Sequence, residues 1–460
     1  MLRRTFLQGL AAGGASLALG PQALGLPSPP DVHTAPADHL AWWREAKFGM
    51  FLHFGLYAIP GGEWEGKFVG SHEWMRHNAK IPDAQYAALA QQFNPTGFDA
   101  DAWVRAAKDA GQRYVVLTTK HHEGFALWDS AVTDYDVMGT PFRRDVCAEV
   151  ARACRRHGVR LGWYYSIMDW HHPDYLPKRD WEAQGPAGAD YQRYLAFMRA
   201  QLRELLTRYG DISVLWFDGQ WESTWTHAAA LELEAYCRQL MPGVVINDRI
   251  DVAPPTNAPA GYRRAGDYTT PELTVPERPP AGDWETCMTM NDNWGWAKDD
   301  TNWKSVPQLL TLLVEVASKG GNLLLNVGPM GDGRFPQESL DGLRGMGAWL
   351  RTNGDAIYGT RGSPFAEPPT VATPAGPAPV RVTAGPRTLN LVMSQWTGGA
   401  IVLPGVRTVP RQAVVLGTGG MPVEVERTLA GLTITLPERG PGTVLPVVQL
   451  RFDQAVRVGR

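Results

Sequence analysis

The chain alternates between two kinds of segment. Short apolar runs end, one after another, in polar clusters. Phe48-Gly49-Met50-Phe51-Leu52 runs into His53, and Tyr114-Val115-Val116-Leu117-Thr118-Thr119 into Lys120-His121-His122-Glu123. Leu161-Gly162-Trp163-Tyr164-Tyr165-Ser166 leads to Met168-Asp169-Trp170-His171-His172, and Val214-Leu215-Trp216-Phe217 to Asp218-Gly219. Val244-Val245-Ile246 meets Asn247-Asp248-Arg249, and Leu323-Leu324-Leu325 meets Asn326-Val327-Gly328-Pro329. Apolar runs bounded by turn signals read as buried parallel strands. Between them, helical periodicity predicts helices over residues 82–92, 98–110, 145–157, 191–209, 228–240, 306–319 and 337–353. Gly111 and Gly158 follow two of these as helix stops. Residues 254–300 read as one long irregular section.

Strands alternating with helices, each strand ending in polar residues, predict an α/β fold, a (β/α)8-like (TIM-type) barrel with its site at the carboxyl rim. About seven strands are countable, so one is irregular. A doubly wound open sheet is the rival, but no glycine-rich phosphate loop follows the first strand. From residue 362 proline and glycine rise, and short runs appear around Val382, Leu391, Ile401, Val414, Val425, Ile434 and Val448. That spacing predicts a C-terminal antiparallel β-sandwich. The expected organisation is an export signal over 1–26, a linker over 27–36, a barrel over 37–361 and the sandwich over 362–460.

The amino terminus adds the reason for the signal. Arg3-Arg4 precede an Ala/Gly/Leu-rich stretch too short and glycine-rich to span a membrane. The pair looks like a twin-arginine export signal, so a periplasmic or secreted protein is expected. The 44 basic and 47 acidic residues nearly balance, which gives no reason to expect a nucleic acid or an anionic membrane as partner. The oligomeric state is left open. None of the four cysteines has Cys-x-x-Cys spacing, so buried free thiols are expected. Eighteen tryptophans, many beside His, Asp or Glu, suit a pocket for an amphipathic ligand.

Four chemistries compete for the clusters. A catalytic metal would draw on His121, His122, His171 and His172, but neighbouring histidines on a strand point to opposite faces. No His-x-x-x-His accompanies them, so no metal or cofactor is expected. Acyl transfer lacks a Gly-x-Ser-x-Gly nucleophile. Glycoside hydrolysis needs two carboxylates, one below the sugar and one beside the leaving oxygen. Asp218 suits the first role, and Glu272, Glu285, Glu73, Glu123 and Glu222 are candidates for the second. A non-catalytic sugar-binding protein is the fourth reading.

Five motifs together carry a family resemblance. They are Phe51-Leu52-His53-Phe54-Gly55, Lys120-His121-His122-Glu123-Gly124-Phe125, Trp216-Phe217-Asp218-Gly219, Asn247-Asp248-Arg249, and Gly320-Gly321-Asn322-Leu323-Leu324-Leu325-Asn326-Val327-Gly328-Pro329. In this order and spacing they resemble the α-L-fucosidases of glycoside hydrolase family 29, over roughly residues 36–362. The resemblance implies an exo-acting, retaining fucosidase acting on fucosylated oligosaccharides or glycoconjugates. It places the nucleophile at Asp218. It implies substrate contacts at His53, Glu73, Trp74, His121, His122, Tyr164, Trp216 and Arg249, and a variable aromatic at Trp294. It favours Glu272 as acid/base, within Gly266-Asp267-Tyr268-Thr269-Thr270-Pro271-Glu272, with Glu285 of Trp284-Glu285 as the alternative. An α-glycosidase of similar architecture acting on galactosides is the rival enzyme.

Overall fold

The computed structural model describes residues 38–179, 181–182, 188–259 and 261–458. The expected signal and linker lie outside them. Seven parallel strands form one sheet: β1 (Phe48–Leu52), β2 (Tyr114–Lys120), β3 (Arg160–Ser166), β4 (Val214–Asp218), β5 (Val245–Ile246), β6 (Glu285–Thr289) and β7 (Asn322–Val327). Their order is β5-β4-β3-β2-β1-β7-β6. Every residue of β1, β2, β4 and β7 is buried. That two-sided burial is why these strands read as unbroken apolar runs rather than alternating ones.

Helices cross between the strands, and their starts follow local chemistry. Asp99, Asp145, Asp190 and Thr226 each accept a hydrogen bond from a first-turn amide of the helix they precede. Such a cap stabilises a helix by about 1 kcal/mol. Ser305 and Gln308 form a reciprocal capping box ahead of Val306–Ser318. The predicted helix over 82–92 is an α-helical turn, Asp83–Ala87, continued as a 3-10 helix, Ala88–Gln92. Among the described residues no helix is long and apolar enough to cross a membrane.

Residues 254–300 are not wholly irregular as expected. β6 lies within them and pairs with β7 from Glu285↔Asn322 to Thr289↔Asn326. Its sequence, Glu-Thr-Cys-Met-Thr, is polar at three of five positions, so it carries no hydrophobic signal. The segment before it closes the ring. Single parallel bridges join Asn247 to Tyr268, Thr269 to Trp284 and Glu272 to Cys287. Residues 268–272 therefore stand between β5 and β6 as an irregular eighth strand. Pro271 lies in it and has no amide to donate, which keeps the pairing discontinuous.

The carboxy-terminal residues form two five-stranded antiparallel sheets. Ile401, Leu403, Leu432 and Ile434 of one meet Leu389, Leu391, Val448 and Leu450 of the other in a separate apolar core. The first hairpin, Thr370–Thr373 with Gly376–Pro379, escaped the sequence reading because Val371 is its one buried residue. Polar contacts tie sandwich to barrel. Thr383 Oγ1 donates to the Ala356 carbonyl at 2.7 Å, Trp349 Nε1 to the Val444 carbonyl at 3.0 Å, and Arg381 pairs with Glu315. The four cysteines are buried and unpaired.

Candidate active site

A cavity of about 420 Å³ opens at the carboxyl ends of the strands. That is at the small end of the range for ligand pockets. Its inner wall is buried: Phe51, His53, Glu73, His121, Tyr164, Trp216, Asp218 and Cys287. Its mouth is exposed and includes Ser71, Asn78, Trp221, Glu272 and Leu273. Trp74 and Trp294, both half-buried, line it too.

Asp218 is the last residue of β4, so the sheet fixes its backbone. Gly219 then turns the chain at φ +84°, where a Cβ would meet the Met168 amide at 2.9 Å. Only glycine fits both the angle and the space. Around the carboxylate, the Tyr164 hydroxyl donates to Oδ2 at 3.1 Å and Arg249 Nη1 donates to Oδ1 at 3.0 Å. The other terminal nitrogen of Arg249 donates to Glu272 Oε2 at 2.6 Å. Its Nε donates to Thr270 Oγ1 at 3.1 Å, and its plane lies over Trp216, 4.9 Å from the ring centroid. Burial opposes the charge of Arg249, but Asp218 and Glu272 outweigh it and raise its pKa.

The histidine tautomers follow from their neighbours. Asn326 Nδ2 donates to the Trp294 carbonyl at 2.7 Å, which turns Oδ1 toward His53 Nδ1, also at 2.7 Å. His53 therefore carries its proton on Nδ1 and offers the Nε2 lone pair. Burial holds this imidazole down to about 3, so it is neutral. Ser166 donates to the Met168 carbonyl at 2.6 Å and accepts from His122 Nδ1 at 2.6 Å. His122 Nε2 then faces Asp218 Oδ2 at 3.5 Å with no hydrogen-bond partner among the described residues. His121 stacks on Tyr164 with rings 5.3 Å apart and 9° from parallel. Burial also pushes His121 and His122 well below the usual range. Glu73 accepts the Gly295 amide at 3.4 Å, and burial raises its carboxyl to about 7.

The structure gathers most of the predicted residues around this one cavity: His53, Glu73, Trp74, His121, Tyr164, Trp216, Asp218, Arg249, Glu272 and Trp294 line it. His122 lies behind the wall, reaching only Asp218 of the two carboxylates. Glu285 does not reach the cavity. It is the first residue of β6, at the opposite end of the barrel, fully buried. Tyr114 donates to it, as does Tyr268 at 3.2 Å, and burial raises it to about 7. Glu123 accepts the Leu56 amide at 2.9 Å and the Tyr86 hydroxyl at 2.5 Å, and Glu222 pairs with Arg179 at 2.9 Å. His171 is paired with Asp83 at 3.0 Å, and His172 Nδ1 accepts the Asp174 amide. Among the described residues no three His, Cys, Asp or Glu side chains are grouped to hold a metal ion. Sequence reasoning quoted Asn326 without a role. Its signal was an amide directly after the apolar run Leu323-Leu324-Leu325, where a buried polar group needs partners.

The chain is similar to known proteins in sequence and in fold. The family model for alpha-L-fucosidase matches residues 29–355. Mouse tissue alpha-L-fucosidase is 31% identical over 424 residues, covering 88% of this chain and 89% of that protein. Alpha-L-fucosidase isoenzyme 1 from Paenibacillus thiaminolyticus superposes with a TM-score of 0.80 at 36% identity, covering 91% of this chain and 99% of its own. A second solved structure is a covalent intermediate of a family 29 alpha-L-fucosidase from Bacteroides thetaiotaomicron, trapped with 2-fluoro-fucosyl fluoride in a glutamate-to-glutamine mutant. It matches with a TM-score of 0.80 at 32% identity, covering 91% of this chain and 97% of that one. With a family model spanning most of the barrel and relatives matching nearly end to end, this chain belongs to the alpha-L-fucosidase family of glycoside hydrolases.

Proposed function

We propose that this glycoside hydrolase removes terminal α-L-fucosyl residues from glycans or glycoconjugates with retention, using Asp218 as nucleophile and Glu272 as acid/base. The observation that carries the assignment is that both carboxylates sit on one guanidinium, that of Arg249, with Asp218 on the inner wall of the pocket and Glu272 at its mouth. One guanidinium spans only a short gap. That agrees with the spacing of about 5–5.5 Å that a retaining pair needs, and the covalent intermediate trapped in the Bacteroides relative supports retention.

In the first step Asp218 bonds to the anomeric carbon while the glycosidic C–O bond breaks and Glu272 protonates the leaving oxygen. In the second, Glu272 takes a proton from water, water oxygen bonds to the same carbon, and Asp218 leaves as carboxylate. Two inversions give retention. To donate, Glu272 must leave its place on Arg249, so substrate entry and release of that ion pair are coupled. The neutral His53 and His121 accept from ring hydroxyls, and Glu73, raised by burial to about 7, shares a hydrogen bond with one. Phe51, Trp216 and Trp294 enclose the apolar 6-methyl group. A second assignment gives the acid role to Glu73, favoured by its raised carboxyl. Glu272 is preferred because it stands at the open mouth, where the leaving group must lie.

An aryl α-L-fucoside and an aryl α-galactoside compared side by side test the reading. Faster galactoside turnover favours the rival glycosidase, and binding without turnover favours a lectin-like protein. We also propose export by the twin-arginine route. Replacing Arg3 and Arg4 together by lysine is expected to hold the protein in the cytoplasm, and unchanged secretion refutes it.

A further inference from the structure

Among the described residues Trp221 is the one tryptophan that is largely exposed, at 49%. Leu273, directly after Glu272, is exposed to the same degree. A single exposed leucine means little. Two large apolar side chains at the mouth of the same cavity mean more, because exposed apolar surface beside a site marks where something binds. Both line the cavity that holds Asp218 and Glu272.

Trp221 is also held in place before any ligand arrives. Its ring stacks on Trp74, 6.1 Å away and 22° from parallel, and meets His122 edge-on at 5.8 Å. The loop that carries it is pinned along its length. Glu222 pairs with Arg179 at 2.9 Å, Thr224 Oγ1 donates to the Leu176 carbonyl at 2.6 Å, and Trp225 Nε1 donates to the Ile250 carbonyl at 2.8 Å. A platform fixed this way binds without first losing side-chain freedom.

The reaction chemistry says which part of the substrate meets it. The acid must lie beside the glycosidic oxygen, and the inner wall is closed by buried residues. The leaving group therefore projects outward past Glu272, over the exposed mouth. We propose that Trp221, with Leu273, forms the subsite for the leaving group, and that this leaving group is a pyranose ring laying its apolar face on the indole. The preferred donors are then fucosylated oligosaccharides rather than fucosides of small alcohols. This rests on the fucosidase reading above.

The test compares two donors on wild type, Trp221→Ala and Trp221→Phe: a fucosylated disaccharide, and α-L-fucosyl fluoride, whose leaving group has no ring. Trp221→Ala should lower kcat/KM on the disaccharide about tenfold, from loss of stacking. On fucosyl fluoride it should stay within about twofold, since that donor makes no use of the platform. Trp221→Phe should recover most of the disaccharide rate. Equal losses on both donors would mean that Trp221 only supports Trp74, and no loss on either would mean that the mouth binds nothing. Both results overturn the subsite. If wild type hydrolyses neither donor, the fucosidase reading itself fails, and the subsite with it.

Discussion

Asp218 and Glu272 share one guanidinium: Arg249 Nη1 stands 3.0 Å from Asp218 Oδ1, and Nη2 stands 2.6 Å from Glu272 Oε2. The two residues come from different parts of the ring, one from a regular strand and one from the irregular segment that closes it. Arg249 is what aligns them. Its planar fork holds the two carboxylates on two separate nitrogens at a fixed angle, whereas an ammonium is a single point charge without that geometry. Arg249→Lys should therefore lose about a hundredfold in kcat/KM despite keeping the charge. Near-wild-type activity in that variant would show that charge alone is needed.

The acid/base assignment separates Glu272 from Glu285. Glu272→Ala should cripple substrates with poor leaving groups and spare activated aryl fucosides, which need little proton donation. Added azide should partly restore the rate and yield a fucosyl azide of retained configuration. Glu285→Ala should lose stability instead, with no azide rescue. The opposite pattern would exchange the roles.

Glu285 makes a pH prediction of its own. Burial raises it from the ordinary 4.5 to about 7 in the folded protein. Between those values the folded state keeps a proton that the unfolded chain releases. Its contribution to stability is whole below pH 4.5 and is lost as pH rises through 7, about 3 kcal/mol in all. His53, held down to about 3, acts on the other side. Its contribution is whole above 6.5 and is lost as pH falls toward 3. Melting temperature measured from pH 5 to 8 should fall less steeply in Glu285→Gln than in wild type. Parallel curves would show that Glu285 ionises normally.

Asp218 was legible because a buried strand writes itself as an apolar run and the carboxylate ends that run. The helices were legible through period and caps, as with Asp145 and Gly158 around Val146–His157. The region around Glu272 was not. The closing segment 268–272 pairs by single bridges, and β6 is polar at three of five positions, so neither shows a hydrophobic period. Without β6 on the map, Glu285 read as a loop glutamate when it stands at the far end of the barrel. The tautomer of His53 depends on Asn326, which is remote in sequence and meets it only across the paired strands β1 and β7.

The most direct test of the account is the identity of the residue that bonds to the sugar. A 2-deoxy-2-fluoro fucosyl fluoride should inactivate the enzyme and leave its label on a peptide containing Asp218. Asp218→Ala should lose on the order of a thousandfold or more in rate, about 4 kcal/mol of barrier. Peptide mapping of the inactivated protein by mass spectrometry reads the outcome. A label on Asp218 is the predicted result. A label on any other residue, or a first-formed product of inverted anomeric configuration, would contradict both the nucleophile and the mechanism.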